Sequence, residues 1–214
     1  MIKTVFIMLS VFVFSITYAN AGQSGDYIGA SSGILFTEAS TITDRNGSTA
    51  NLAYSNIGIP VSAFIGHQFG IGVRVEEEAF YKKFTTHGFS YSGSTSQIDS
   101  NVFCFGAMSN LYYDWYHDVK VLEEFPISPY VGLGVGLASV NMSESSVNGL
   151  KLWSNGNDTI FTYQLIIGSG IPISKDILLD VSYRHFATKY ITIDQTKASL
   201  SNQNFLLGVR YFFR

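Results

Sequence analysis

Between positions 204 and 213 the side chains alternate without a break. Phe205, Leu207, Val209, Tyr211 and Phe213 fall on one side of an extended chain, and Asn204, Leu206, Gly208, Arg210 and Phe212 on the other. A two-residue period belongs to strands, whose successive side chains point to opposite faces. The same period returns in segments 27–38, 72–84, 101–116, 130–140, 159–170 and 177–188, and less regularly in 57–67. Eight strands of about 10–13 residues are expected, the length that crosses a bilayer at a tilt. Helical spacing is rare, and the most apolar later stretch, 161–173, is broken by Gly168, Gly170 and Pro172. A helical membrane protein is therefore excluded.

The connections alternate as well. Short ones are expected at 67–71, 118–128 and 171–176, and longer ones, rich in Ser, Thr, Asn and Gly, at 39–55, 86–100, 141–158 and 189–202. Three short turns interleaved with four long loops describe an all-β, antiparallel, up-and-down transmembrane barrel of eight strands. Both termini and the short turns then lie on the periplasmic side, and the four loops are extracellular. Residues 1–21 read as a secretory signal: Lys3, an apolar run over 5–16, and small residues Ala19 and Ala21 before the expected cleavage point. Residues 22–214 form one barrel domain.

Period two does not say which face is wet; charge does. Only 14% of the residues are charged, against about 25% in ordinary soluble domains. A soluble barrel would spread many Lys and Glu over its outside. Here the mid-strand ions are few and nearly balanced: Arg74, Arg184 and Arg210 against Glu76, Glu78, Asp114 and Asp180. They are expected to form a paired network inside a lumen only wide enough for side chains, since unpaired buried ions are costly. Gly132, Gly134 and Gly136 supply small residues for such an interior. Glu77 fits badly, because its parity puts it on the lipid side; a bulge turning it inward, or a shifted register, is the alternative. Aromatic residues near strand ends suit the two membrane–water interfaces. Tyr113, Trp115, Tyr116, Tyr130, Tyr211 and Phe213 are expected in a periplasmic girdle, and Tyr81, Phe84, Phe161, Tyr163, Phe186 and Tyr190 in an outer one.

The last strand, Leu206-Leu207-Gly208-Val209-Arg210-Tyr211-Phe212-Phe213, resembles the C-terminal assembly signal of outer-membrane barrels. Gly208, Tyr211 and Phe213 occupy the signal places, and Arg214 departs from the pattern by following the last aromatic. Tyr27-Ile28-Gly29, Ile65-Gly66-His67-Gln68-Phe69-Gly70, Tyr112-Tyr113-Asp114 and the glycine-alternating run 129–136 are similar to the small outer-membrane β-barrel proteins. These include the OmpA-like membrane domain, the opacity proteins and the msp4-type surface antigens. The resemblance implies insertion by the outer-membrane assembly machinery, contact with outer-membrane lipids and lipopolysaccharide, and variable surface loops. The function expected is structural, adhesive or antigenic, carried by loops that meet an extracellular ligand or host surface. A small porin-like channel lined by Arg74, Glu76, Glu78, Asp180, Arg184 and Arg210 is the alternative, and a lipid-modifying enzyme a more distant one.

No catalytic residue, cofactor or metal site is expected. His67, His87, His117 and His185 fall in separate elements, and none has a serine two positions on. The single cysteine, Cys104, reads as a small buried residue and excludes an intramolecular disulfide. A net charge of −3 argues against nucleic acid as a partner. A monomer is expected.

Overall fold

A computed structural model of the chain describes residues 24–38, 40–43, 49–54, 57–91, 94–115, 127–142, 145–147, 150–153, 156–189, 191–193 and 196–213. The signal-peptide reading of 1–21, with Ala19 and Ala21, lies outside these residues. Eight long strands make the wall: β1 (Gly25–Thr37), β4 (Ile59–Gln68), β5 (Val73–Tyr91), β6 (Ser94–Asp114), β7 (Ser128–Met142), β10 (Gly156–Pro172), β11 (Ile177–Thr188) and β14 (Ser201–Phe212). Six short strands stand between them: β2 (Ser40–Thr43), β3 (Thr49–Tyr54), β8 (Ser145–Val147), β9 (Leu150–Trp153), β12 (Ile191–Ile193) and β13 (Thr196–Ala198). Each long strand pairs antiparallel with its neighbours in sequence, and β1 closes on β14 from Tyr27↔Phe212 to Thr37↔Asn202. Closure leaves the wall no unpaired edge, which is what an extended chain needs inside a bilayer.

The turn between β4 and β5 shows how tight the periplasmic connections are. Gly72 donates from its amide to the Phe69 carbonyl at 3.1 Å, and its φ of +85° lies in the left-handed region that suits glycine. Between β10 and β11, the Ile173 amide bonds the Ile177 carbonyl at 2.9 Å. At the opposite end the strands run on past the expected boundaries. Segment 86–100, read as a loop, is the far end of a hairpin in which β5 and β6 stay paired to Tyr91↔Ser94. The neighbouring connections also carry strands, and β12, β13, β2, β3 and β5 lie side by side in one sheet. Outside the bilayer neither face of a strand must be apolar. Polar, β-branched sequence such as Ser40–Thr43 can therefore pair without showing hydrophobic alternation.

Exposure separates the two faces of the wall. Leu207 is 60% exposed, and Leu165 and Leu137 are nearly the same, while Arg210 is fully buried. Oily side chains form the exterior and charged ones the interior, the reverse of a water-soluble barrel. Inward glycines make the room this requires. A Cβ added at Gly134 would sit 2.0 Å from Oδ1 of Asn110, and one at Gly132 would sit 2.4 Å from the Tyr112 ring. Gly29 and Gly66 likewise give way to the rings of Phe64 and Tyr27.

Candidate functional site: the packed lumen and the outer wall

Inward positions on β5, β6, β11 and β14 bring all seven sequence-predicted ions into the barrel. Arg74, Glu76, Glu78, Asp114, Asp180, Arg184 and Arg210 are buried, and they form three clusters. Near the periplasmic turns, Nε of Arg74 donates to Asp114 at 3.1 Å and Nη1 donates to Glu76 at 3.1 Å. The Arg74 guanidinium lies 3.7 Å from the centre of the Tyr112 ring and 4.8 Å from that of Tyr130. Tyr27 and Tyr112 donate to the two oxygens of Glu76 at 2.9 and 2.8 Å. Gln68 also donates to Asp114, at 3.2 Å. Arg210 forms a two-point pair with Asp180, its Nε at 2.5 Å and its Nη2 at 2.9 Å.

The middle layer is centred on Glu78. Nη1 of Arg184 donates to both its oxygens, at 2.7 and 2.8 Å. Asn110 and Gln164 donate to Glu78 Oε2 at 2.9 and 3.1 Å. A buried carboxylate tolerates this place because its lone pairs are met by donors and its charge by a cation.

Sequence reasoning missed one ion of the network, as well as the neutral donors Tyr27, Gln68 and Tyr112. Lys82 is buried, donates to Asn202 Oδ1 at 3.2 Å, and holds its ammonium 3.3 Å from the centre of the Phe186 ring. It shares the parity of Arg74, Glu76 and Glu78, so the signal was present four residues beyond Glu78. With Lys82 included, four inward cations face four inward carboxylates.

The outer half of the lumen is mainly apolar. Leu35, Phe80, Phe84, Val102, Cys104, Met108, Ala138, Val140, Ile160, Phe186 and Leu200 pack there as one apolar cluster. This corrects the placement of Phe84 and Phe186 in an outer girdle, since both point inward. Tyr130 is likewise inside, edge-on to Tyr112 with ring centres 5.6 Å apart, rather than in the periplasmic girdle. In all three cases parity decides the face, while closeness to a strand end says only how high the residue sits. Tyr113, Trp115, Tyr211 and Phe213 are exposed on the periplasmic rim, as are Tyr81, Phe161 and Tyr163 further out. The side chains of Tyr116 and Tyr190 lie outside the described residues. Between the ionic middle layer and the apolar plug, a cavity of about 10 Å³ is bordered by Glu78, Phe80, Lys82, Met108, Arg184 and Phe186. That is room for about one water molecule.

On the exterior, no bulge turns Glu77 inward. β5 and β6 run in continuous register across Glu77↔Ser109, and the Ser109 hydroxyl donates to both Glu77 oxygens at 2.7 and 2.8 Å. A carboxylate on the lipid face opposes insertion, less strongly than a cation would. Glu77→Leu is expected to raise the stability of the folded barrel by about 1 kcal/mol, read as a higher urea midpoint in lipid vesicles. An unchanged or lowered midpoint would mean that the Ser109 bond outweighs desolvation.

The residues of the C-terminal signal end the last strand. Tyr211 and Phe213 face outward with ring centres 5.6 Å apart, and Gly208 sits opposite Ser31 and Asp180. Of the histidines whose side chains are described, His67 bonds Asp26 at 2.7 Å and His185 bonds Gln203 at 3.1 Å. His87 and His117 lie outside the described side chains. Cys104 is buried in the apolar plug. Among the described residues no three His, Cys, Asp or Glu side chains are grouped to hold a metal ion.

Comparison with known proteins gives the same architecture. An outer membrane protein of Gluconacetobacter diazotrophicus is 27% identical over 171 residues, 70% of this chain and 45% of that one. Outer membrane protein PagN of Salmonella typhimurium is 25% identical over 121 residues, 50% of this chain and 48% of that one. The chain thus spans about half the length of these relatives. Among solved structures, the outer membrane protein OprG of Pseudomonas aeruginosa superposes with a TM-score of 0.58 at 11% identity, covering 89% of this chain and 97% of its own. The outer membrane protein beta-barrel domain family matches residues 5–213. A closed wall of eight strands, oily outside and ionic within, belongs to that family, and the chain is one of its members, a β-barrel of the Gram-negative outer membrane.

Proposed function

We propose that the protein is a non-catalytic surface barrel whose extracellular strands carry recognition, as an adhesive or antigenic surface or a contact that supports the envelope. The observation that carries this reading is the contrast between the two halves of the molecule. The transmembrane interior is filled by paired ions and an apolar plug, which leaves little for it to transport or convert. The extracellular connections, by contrast, extend the wall into a laterally paired sheet of β12, β13, β2, β3 and β5. A paired sheet presents a fixed surface, and ordering that is already in place lowers the entropy lost on binding. The partners proposed are outer-membrane lipids and lipopolysaccharide around the wall, the assembly machinery reading Gly208, Tyr211 and Phe213, and an extracellular ligand or host surface above. The barrel is proposed to act as a monomer.

Replacing residues 39–55 and 190–198, which lie outside the eight wall strands, by short Asn-Gly turns tests the assignment. The shortened barrel is expected to keep its heat-modifiable gel shift, because the wall is untouched. Bacteria displaying it are expected to lose most of the attachment to host-cell or matrix surfaces that the full chain confers. Equal attachment by both forms would remove recognition from these strands.

A further inference from the structure

Among the described residues, Lys82 is the inward cation whose charge the network leaves unmet. Glu76 and Asp114 share Arg74, Glu78 is held by Arg184 and Asp180 by Arg210, so arginines take up all four inward carboxylates. None of these carboxylates lies within ion-pair distance of the Lys82 ammonium. That ammonium donates to Oδ1 of Asn202 at 3.2 Å, and the ring centres of Phe186 and Phe80 lie 3.3 and 5.3 Å away. It has three protons to give and accepts nothing. One carbonyl and two rings offset little of its charge, and a buried ion without a counter-charge is costly. The surplus carboxylate sits far below, in the cluster around Arg74 near the periplasmic turns.

The cavity of about 10 Å³ between the ionic middle layer and the apolar plug is lined by both Lys82 and Arg184. Arg184 spends Nη1 on Glu78, while its Nε, which can only donate, is buried and has no partner. Carbon from Phe80, Met108, Phe186 and Leu206 makes up much of the remaining border. Glu78 also borders the cavity, but Arg184 already matches its charge, so the surroundings sum to one positive charge, that of Lys82. Two donor-only groups and one unmet positive charge fit an occupant that only accepts and carries one negative charge. A water would answer the donors and could give a proton to Oδ1 of Asn204, which is also without a partner. It would leave the charge of Lys82 as it stands. A chloride ion stripped of its hydration is close to a water in size, accepts from several donors at once and packs against ring edges.

We propose that the barrel encloses one small halide ion, chloride in ordinary media, between Lys82 and Arg184. The ion accepts from Nζ of Lys82 and Nε of Arg184, and the rings of Phe80 and Phe186 border it. It is a structural ion that completes the charge balance of the outer lumen. Because the apolar plug stands above it, the ion is captured as the strands close. The site leaves the lumen shut and does not depend on the extracellular recognition surface.

The test refolds the full barrel into vesicles in sodium chloride, or in sodium gluconate of equal ionic strength, whose anion is too large for the cavity. A ligand held only by the folded state raises stability as its concentration climbs past its dissociation constant. The urea midpoint is expected to rise with added chloride and to stay lower in gluconate. Lys82→Met removes the charge but keeps an unbranched side chain, and its midpoint should be the same in both salts. Bromide locates the ion: crystals of the unaltered barrel refolded in bromide are expected to show an anomalous scattering peak between Lys82 and Arg184. Should Lys82→Met fail to fold, the bromide peak decides alone. Equal midpoints of the unaltered barrel in the two salts overturn the proposal. So does a chloride response that persists in a folded Lys82→Met barrel, or a cavity in the bromide crystals that holds water.

Discussion

Replacing Arg184 by methionine is expected to lower the stability of the folded barrel by about 3–5 kcal/mol, the usual penalty for stranding one partner of a buried ion pair. Arg184 reaches both oxygens of Glu78 through one nitrogen, and both side chains are buried in the middle of the lumen. Without it the carboxylate is left with neutral donors such as Asn110 and Gln164. Water cannot repair the loss, because the adjoining cavity of about 10 Å³ holds about one molecule. Adding Glu78→Gln to Arg184→Met should recover most of the deficit, since the stranded charge is gone and a carbonyl oxygen remains for Asn110 or Gln164. The pairwise coupling from such a cycle isolates the interaction from the packing each side chain supplies. Urea unfolding in vesicles, followed by tryptophan fluorescence and by the gel shift on boiling, gives the midpoints. An Arg184→Met barrel that unfolds with the wild type would show that Glu78 is held by its neutral partners alone. A double variant no better than the single one would place the loss in packing.

Much of this interior is legible in the sequence, and the reason is physical. A pleated strand assigns faces by parity, so Arg74, Glu76, Glu78, Asp180, Arg184 and Arg210 could be put on one side together, and low overall charge could make that side the inside. Gly132, Gly134 and Gly136 could be read as small residues of a tight lumen. That Gly134 yields its space to Asn110, and Gly132 to Tyr112, depends on how β6 meets β7, and register across strands leaves little trace in one sequence. Where reasoning by position replaced parity, it failed. Tyr130, Phe84 and Phe186 stand near strand ends, but their even numbers put them beside inward residues of the same strands. The apolar plug was missed for a related reason. Phe80, Met108 and Val102 have the same chemistry as the lipid-facing residues, so composition cannot separate inside from outside once the charges stop. The extracellular strands were missed because, away from lipid and away from a core, pairing needs no hydrophobic period.

Planar bilayers containing the purified barrel are expected to stay silent. Eight strands enclose an interior only wide enough for side chains, and here those side chains are tied together or packed at every level described. Ions entering from the periplasm meet the stacked Arg74, Tyr112 and Tyr130. Next they meet the Glu78–Arg184 pair, with Asn110 and Gln164 bonded to each other at 2.8 Å. Above that lies the apolar plug, where Phe80 and Phe186 stand edge to face with ring centres 5.5 Å apart. An ion would have to shed its hydration there with few polar groups to replace it, chiefly the Lys82 ammonium, Asn202, Thr162 and Thr188. Charged lining alone therefore does not make a pore; a continuous wet path does. Phe186→Ala is the informative variant, because it removes the ring that covers Lys82 within the apolar plug. It should cost about 3–5 kcal/mol of stability, as large-to-small changes in packed interiors do. Any current it admits should be small and favour anions, since Lys82 would be the first charge uncovered. Steady conductance from the unaltered barrel, at amplitudes typical of an open pore, would mean that the plug moves aside in the membrane, and the Arg74–Glu78–Arg184 column would then be the lining of a channel.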